Sequence, residues 1–135
     1  VVYDINEKPI NGLYKIYYTN GNVKMEVESK NGKPDGKGVF YDEDGNVLFE
    51  GYFKNGLTNG KMINFYPDGS VHNEMYYTDG VQDGVYKTFN KDGTLAVEVT
   101  FEKGKAVSGY AIIQEHKIEM SPEDLNELSS EKQPQ

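Results

Sequence analysis

The segment Tyr41-Asp42-Glu43-Asp44-Gly45-Asn46-Val47 decides the fold, because a related segment recurs every 24 residues along the chain. Its counterparts are 17–23, 65–71 and 89–95. Each begins with an aromatic residue, ends with Val or Leu, and has Asn-Gly or Asp-Gly in the middle. These dipeptides tolerate the positive φ angles of tight hairpin turns. The segment therefore predicts one β-hairpin turn in each of four repeats.

A second set of turn sequences has the same 24-residue period: Asn31-Gly32, Asn55-Gly56, Asp79-Gly80 and Lys103-Gly104. Strands are predicted at about 13–18 and 23–30, and again at each addition of the period. Because tight turns join all of them, the sequence predicts an all-β fold, an elongated single-layer antiparallel meander of repeated hairpins. Four hairpin repeats fill residues 11–109, where a fifth begins and fades.

The two ends of the chain depart from the repeat. Residues 1–10 are predicted to contain a degenerate strand, with 1–5 covering the sheet edge near residues 13–18. Residues 110–135 are predicted to hold a strand, a capping helix over 122–131 and a tail from Lys132. Ser121 is a typical N-cap and Pro122 a typical first helical residue. Leu125 and Leu128 are expected to lie on the apolar face near Val97 and Phe101.

Side-chain alternation divides the predicted strands between two faces. If each turn is symmetric about the position of Asn20, then Tyr17 faces Val23 and Lys15 faces Met25. One face would then be an apolar packing face that includes Tyr17, Val23, Met25 and their equivalents. The other would be aromatic and acidic, and is the candidate binding face: Tyr14, Tyr18, Phe40, Tyr52, Tyr66, Tyr76 and Tyr86, beside the recurring glutamates.

The recurring glutamates are Glu26, Glu50, Glu74 and Glu98. Two strands apart, such carboxylates would be separated by about 9.6 Å, within the range of paired glycosidase carboxylates. An active site, however, occurs once, whereas this glutamate recurs in every repeat. We therefore predict that these carboxylates accept structural hydrogen bonds from the backbone or from tyrosine hydroxyls, and that the protein has no catalytic residues and is not an enzyme.

Metal and cofactor sites are not predicted. The chain has no cysteine, and its two histidines, His72 and His116, lack ligand spacing. The loop that starts at Asp42 resembles a calcium loop only at first, because Val47 occupies the position that requires glycine. No phosphate loop or nucleophile motif follows a strand into a helix.

The charge of the chain limits its partners. Asp and Glu total 22 against 14 Lys, and no Arg is present, so the net charge is -8. Nucleic-acid and anionic-membrane binders require clustered cations. Neither partner is expected, and no stretch of the sequence is long and apolar enough to predict a membrane-spanning helix.

Residues 49–56 and 60–69, with a Glu-Gly core followed by Tyr-Pro-Asp-Gly, resemble the MORN repeat, especially the variant repeat of bacterial YwqK-type antitoxins. The resemblance covers residues 11–109. Only Gly51 follows its glutamate as the family pattern requires, whereas Val27, Met75 and Val99 replace it elsewhere. The resemblance implies that the fold is a single-layer ribbon and that the protein is a scaffold that interacts with other proteins.

The sequence therefore predicts that the protein is a non-enzymatic module for protein–protein interaction. It is expected to bind its partner through the concave side of the ribbon. The resemblance adds antitoxin-like neutralisation of a toxin or a scaffold role in the bacterial envelope. The alternative is a cell-surface glycan-binding module that uses the tyrosine-rich face. Because the sequence starts at Val1 rather than methionine, export or the cell envelope is expected ahead of the cytoplasm.

Overall fold

The structure, a computed structural model, describes residues 1–129. It confirms the predicted fold: one open antiparallel sheet in meander order, with a short helix near its last strands. The strands are β1 (Gly12–Tyr17), β2 (Val23–Lys30), β3 (Lys33–Tyr41), β4 (Val47–Lys54), β5 (Leu57–Phe65), β6 (Val71–Thr78), β7 (Val81–Gln82), β8 (Gly84–Phe89), β9 (Leu95–Glu102), β10 (Lys105–Ile113) and β11 (His116–Glu119). The helix α1 is Pro122–Leu128. Within 1–129, no helix is long and apolar enough to cross a bilayer.

Two kinds of turn alternate along the meander. In the first, the N–H of Gly21 donates to the carbonyl of Tyr18 over 3.0 Å, and Gly21 has a φ of 91°. In the second, both central residues have positive φ, 52° at Asn31 and 77° at Gly32. The second pattern is the type I′ turn, whose twist matches that of the strands it joins. The two turn types lie on opposite long edges of the ribbon.

The register across the first kind of turn differs from the symmetric one predicted from the sequence. Tyr17 lies opposite Val23 as expected, but Ile16 lies opposite Met25, so Lys24 forms a bulge. Lys15 consequently faces Glu26 and not Met25. The same shift recurs at each equivalent turn. A slip of one residue moves a side chain to the opposite face, so the predicted division of residues between faces is wrong on one side of each bulge.

We name the face that carries the four recurring glutamates the ladder face. Its central row runs from strand to strand through directly paired residues: Lys15, Glu26, Val39, Glu50, Ile63, Glu74, Lys87, Glu98, Tyr110 and Glu119. Tyr17 and its equivalent Tyr41 also lie on this face, contrary to the prediction. Because the bulge shifts the pairing by one residue, Tyr17 and Met25 lie on opposite faces. The opposite face, the packing face, carries Met25, Phe49 and Phe101.

The packing face holds the buried hydrophobic residues, Val27, Val99 and Phe101. A single layer can bury them because neighbouring side chains lie flat over the sheet where glycines leave room. A Cβ on Gly38 would lie 2.9 Å from the Phe53 ring, so only glycine allows that ring to lie so close to the sheet.

The N-terminal segment does not cover the sheet edge as predicted. Val2 donates its N–H to the carbonyl of Gly32 over 2.7 Å, and Tyr3 forms an isolated bridge with Pro9. Residues 1–10 thus fold over the turn at Gly32, and β1 pairs with β2 alone.

The strand β11 was not predicted. Gln114 and Glu115 form the turn that precedes it, with φ angles of 50° and 67°. Neither is glycine, so the turn lacks the sequence signal that marks the other turns. The fifth repeat therefore closes as a short hairpin, and Glu119 pairs with Tyr110.

The helix begins as predicted, with Ser121 and Asp124 exchanging the two hydrogen bonds of a capping box. It ends at Leu128 and not at residue 131; residues 130–135, including the predicted tail, lie outside the described residues. The helix packs on β10, where Leu125 is half-buried but Leu128 is exposed. Ser129 accepts a hydrogen bond from the N–H of Ala106 over 3.0 Å, so the segment after the helix caps the last long strand.

Candidate functional site

The hydroxyls of Tyr18 and Tyr66, two of the seven candidate binding residues, are used inside the repeat array. Tyr18 donates to the carbonyl of Tyr41, and Tyr66 donates to the carbonyl of Phe89, both over 2.6 Å. Each bond joins one hairpin turn to the next along the same long edge. Both rings are half-buried, which leaves their polar ends unavailable to a ligand.

Three other candidates, Tyr14, Phe40 and Tyr86, lie on the packing face and not beside the glutamates. Tyr14 is paired with Val27, and Phe40 stacks on Phe49 with 4.1 Å between ring centroids. Tyr86 packs edge-on against a neighbouring aromatic ring, and its burial raises the pKa of its hydroxyl. The seven residues therefore do not form one surface.

Tyr52 and Tyr76 are the two candidates that remain exposed on the ladder face. Their exposed fractions are 47% and 38%. Tyr52 is paired with Lys37, and Tyr76 is paired with Lys61 at the equivalent position of the next repeat.

The same two lysines form ion pairs with the recurring glutamates. Lys37 lies 3.9 Å from Glu50, and Lys61 lies 3.4 Å from Glu74. In each case the glutamate precedes the exposed tyrosine by two residues. A group of one lysine, one glutamate and one exposed tyrosine thus occurs twice, and we name it the Lys–Glu–Tyr group.

The outer glutamates have similar partners. Lys15 lies 3.8 Å from Glu26, and Lys87 lies 3.9 Å from Glu98. Glu26 also accepts a hydrogen bond of 2.5 Å from the hydroxyl of Tyr41. This bond, together with burial, raises the pKa of Tyr41 to about 12. The lysine partners were not predicted, although each lies 11 or 13 residues before its glutamate.

A further recurring feature was missed in the sequence. The side chains of Asn11, Asp35, Asn59 and Asp83 accept hydrogen bonds from the backbone N–H of the residue 20 positions later. Each of these side chains thus links the start of one hairpin, by a hydrogen bond, to the type I′ turn beside it. The alternation of Asn and Asp at a 24-residue spacing was the signal that could have revealed it.

The histidines lie apart from one another in the fold. His72 stacks on Tyr66 with 4.4 Å between ring centroids, and His116 begins the exposed strand β11. Among residues 1–129, no group of three or more His, Asp or Glu side chains is placed to hold a metal ion. The absence of a cofactor remains a prediction.

Cavities are shallow on both faces. The groove nearest the middle of the sheet has a volume of about 240 Å³ and lies on the packing face. Its lining residues are Phe49, Thr58, Met62, Asn64, Met75 and Tyr77. Among its lining residues, the phenol of Tyr77 donates a hydrogen bond to the Sδ of Met75 over 3.4 Å.

A known family model matches the repeats of this chain. The model of the MORN repeat variant matches four times, at residues 10–31, 34–55, 58–79 and 82–103. These matches span more than half of the chain and coincide with the four hairpin repeats of the sheet. Comparison with curated proteins finds no similar sequence. Repeats of this kind are typically non-catalytic modules for interaction with proteins and membranes. The four matches, together with the meander of hairpins that they cover, show that this chain belongs to the MORN repeat variant family.

Proposed function

We propose that this protein is a non-enzymatic module that binds a protein partner through its ladder face. The observation that carries the proposal is the Lys–Glu–Tyr group, which presents Tyr52 and Tyr76 at equivalent positions of adjacent repeats. Tyrosine is enriched at protein interfaces because it supplies a large, rigid contact area with a polar end. The paired charges beside each ring supply directional polar contacts around it.

The choice of the ladder face over the packing face follows from exposure. The large side chains of the packing face are buried or half-buried near its centre, whereas the two rings of the Lys–Glu–Tyr groups extend into solvent. One strand, β5, lies between the strands that carry the two rings, which corresponds to a separation of about 9.6 Å. A partner with a matching two-site surface would therefore contact both groups at once.

The experiment is a capture assay from lysate of the source organism with matched variants as bait. We expect the unaltered chain to retain one protein in stoichiometric amount, and the double variant Tyr52→Ala/Tyr76→Ala to lose it. The control is Tyr3→Ala, because Tyr3 is also exposed but lies in the N-terminal segment. Loss of the partner with Tyr3→Ala, or its retention by the double variant, would contradict the proposal.

The resemblance to YwqK-type antitoxins favours a toxin as the partner. Co-expression tests this finer statement: a captured protein that arrests growth alone, and does not when this chain is present, is a toxin that the chain neutralises. A captured protein that causes no growth arrest would instead favour an envelope scaffold, and growth arrest that persists in the presence of the chain would contradict neutralisation.

Glycan binding is a second candidate, favoured by the same two exposed rings. Sugar rings stack on aromatic faces, and a carboxylate two residues away accepts hydrogen bonds from sugar hydroxyls. A glycan array distinguishes the two candidates, because a protein-binding module gives no saccharide signal that depends on Tyr52 and Tyr76.

A further inference from the structure

Both ends of the sheet present an open strand edge. The strand order begins at β1 and ends at β11, and within the described residues no strand pairs with the outer side of either. Ile16 on β1 is 40% exposed and Ile118 on β11 is 50% exposed. Open edges with exposed apolar residues are templates for pairing with another strand.

The two open edges carry opposite charges at the same level of the sheet. Lys15 is the first member of the central row of the ladder face, and Glu119 is the last. Glu74 on β6 lies directly opposite Lys87 on β8, at the boundary between two consecutive repeats. A lysine and a glutamate thus already lie opposite each other across one repeat boundary inside the chain, as Lys15 and Glu119 would between two copies.

The neighbouring row on the packing face also ends in a matched pair. It begins at Ile16 and ends at Ile118, again through directly paired residues. Placing Glu119 of one copy opposite Lys15 of a second copy therefore also places Ile118 opposite Ile16, because adjacent residues stay in register along paired strands.

Strand direction permits this arrangement. Ten strands form the continuous path of the sheet, and consecutive strands on it are antiparallel, so β1 and β11 run in opposite directions. A second copy in the same orientation would thus add its β1 to β11 as an antiparallel neighbour. Pairing of two β1 edges would instead bring like charges at Lys15 together, and pairing of two β11 edges would do so at Glu119.

We infer that copies of this chain associate head to tail, with β11 of one copy pairing with β1 of the next. The contact uses two different surfaces, so it leaves an open edge at each end and extends beyond a dimer. Because β11 has only four residues, each contact is small and association depends strongly on concentration.

The test is sedimentation velocity and small-angle X-ray scattering of the 135-residue chain over a concentration series at about 0.15 M salt, where charges more than about 8 Å apart are screened. We expect the average mass to rise continuously with concentration while the particle lengthens at constant cross-section. A monomer at every concentration, or a dimer that grows no further, would overturn the inference.

Charge reversal identifies the edges involved. We expect Lys15→Glu alone and Glu119→Lys alone each to weaken association about five- to tenfold, as an attractive cross-strand pair becomes repulsive. An equimolar mixture of the two variants restores association, because every contact between unlike copies again joins opposite charges. Restoration also shows that each variant is folded.

The control is Lys87→Glu, which removes an equivalent ion pair, with Glu98, from the interior of the sheet and lies outside both Lys–Glu–Tyr groups. It leaves association unchanged. If Lys87→Glu weakens association as much as Lys15→Glu, or if the mixture of edge variants does not recover, β1 and β11 are not the contact.

Discussion

The hydroxyl of Tyr41 donates a hydrogen bond of 2.5 Å to Glu26, whose other carboxylate oxygen lies 3.8 Å from the Nζ of Lys15. Three strands are therefore linked through one carboxylate on the ladder face. This arrangement differs from a catalytic dyad, because the carboxylate is shared between a hydroxyl and an ammonium group that are both committed to the sheet.

Replacing Tyr41 with phenylalanine removes the hydrogen bond while keeping the ring. We expect Tyr41→Phe to lower the free energy of unfolding by about 1 kcal/mol, since the acceptor is charged but partly solvated. Phe65 and Phe89 occupy the equivalent positions of later repeats, so the ring fits. Chemical denaturation measures the change, and Tyr52→Phe is the control, with no loss expected. Equal losses in the two variants would show that the Glu26 contact is not the cause.

The same bond predicts a distinct titration. Tyr41 keeps its proton until the pH approaches about 12, well above the usual tyrosine pKa of about 10. A raised pKa in the folded state stabilises the protein below the unfolded pKa, and this stabilisation is lost as the pH rises through the folded value. Burial also raises the pKa of Tyr86 and of Tyr110, so ultraviolet titration should show several late-ionising tyrosines, and Glu26→Gln should remove the step near pH 12 that belongs to Tyr41. A step near pH 12 that persists in Glu26→Gln would assign it to another residue.

Acid should weaken the turns on the edge that contains residues 42–46. Hydrogen bonds lower the pKa values of Asp42, Asp68 and Asp92, mainly from Asn46, Ser70 and Thr94 respectively. A lowered folded pKa gives stability above the unfolded value, and that stability is lost as the pH falls through the folded pKa. Asn20 already fills the position of Asp68 in the first repeat and accepts the same backbone bond. The Tm of Asp68→Asn should therefore fall less than the Tm of the unaltered chain between pH 5 and pH 2, where the carboxylates titrate. An equal fall of Tm in the two proteins would contradict this prediction.

The Asn59 side chain should contribute measurably to the turn it fastens. It accepts the N–H of Asp79 over 3.0 Å, at a residue whose φ is positive. We expect Asn59→Ala to destabilise the protein by about 1 kcal/mol, while Asn59→Asp retains the bond, as Asp35 does in the preceding repeat. Thermal unfolding compares the two variants. Destabilisation of equal size in both would argue against the hydrogen bond.

Ser29 should be a site where substitution stabilises the protein. Its Oγ is buried and has no hydrogen-bond partner among the described residues, whereas the equivalent position in other repeats is aromatic. Removing an unsatisfied buried hydroxyl recovers its desolvation cost, so Ser29→Ala should raise the free energy of unfolding by about 1 kcal/mol. Ser108→Ala, at an exposed position of β10, is the control. A loss of stability in Ser29→Ala would indicate a water or protein partner for Oγ.

The spacing of the turns was predictable, while the register between them was not. Asn-Gly and Asp-Gly mark where the chain reverses because few other residues accept the required φ angles. The bulge at Lys24 leaves no comparable sequence signal, yet it decides whether Lys15 lies opposite Met25 or opposite Glu26. The same limit explains β11, since Gln114 and Glu115 adopt turn angles that their residue types do not favour.

The strand register also decides which candidate binding residues lie on the ladder face. The repeating glutamates were recognised from their period, and Tyr52 and Tyr76 were correctly placed beside them because they lie two residues further along the same strands. Phe40 and Tyr86 were misplaced because they belong to the strand before the bulge. Alternation along one strand is therefore more reliable than pairing inferred across a turn.

The side chains of Asn11, Asp35, Asn59 and Asp83 fasten each hairpin only to its immediate neighbour. The terminal repeats of the ribbon can therefore unfold locally while the central repeats stay folded. This arrangement also means that duplication of one 24-residue unit would lengthen the ribbon by two strands without disturbing the units on either side. Length in such a protein can therefore change during evolution by whole units, and the distance between its two outermost surfaces changes by the same fixed step.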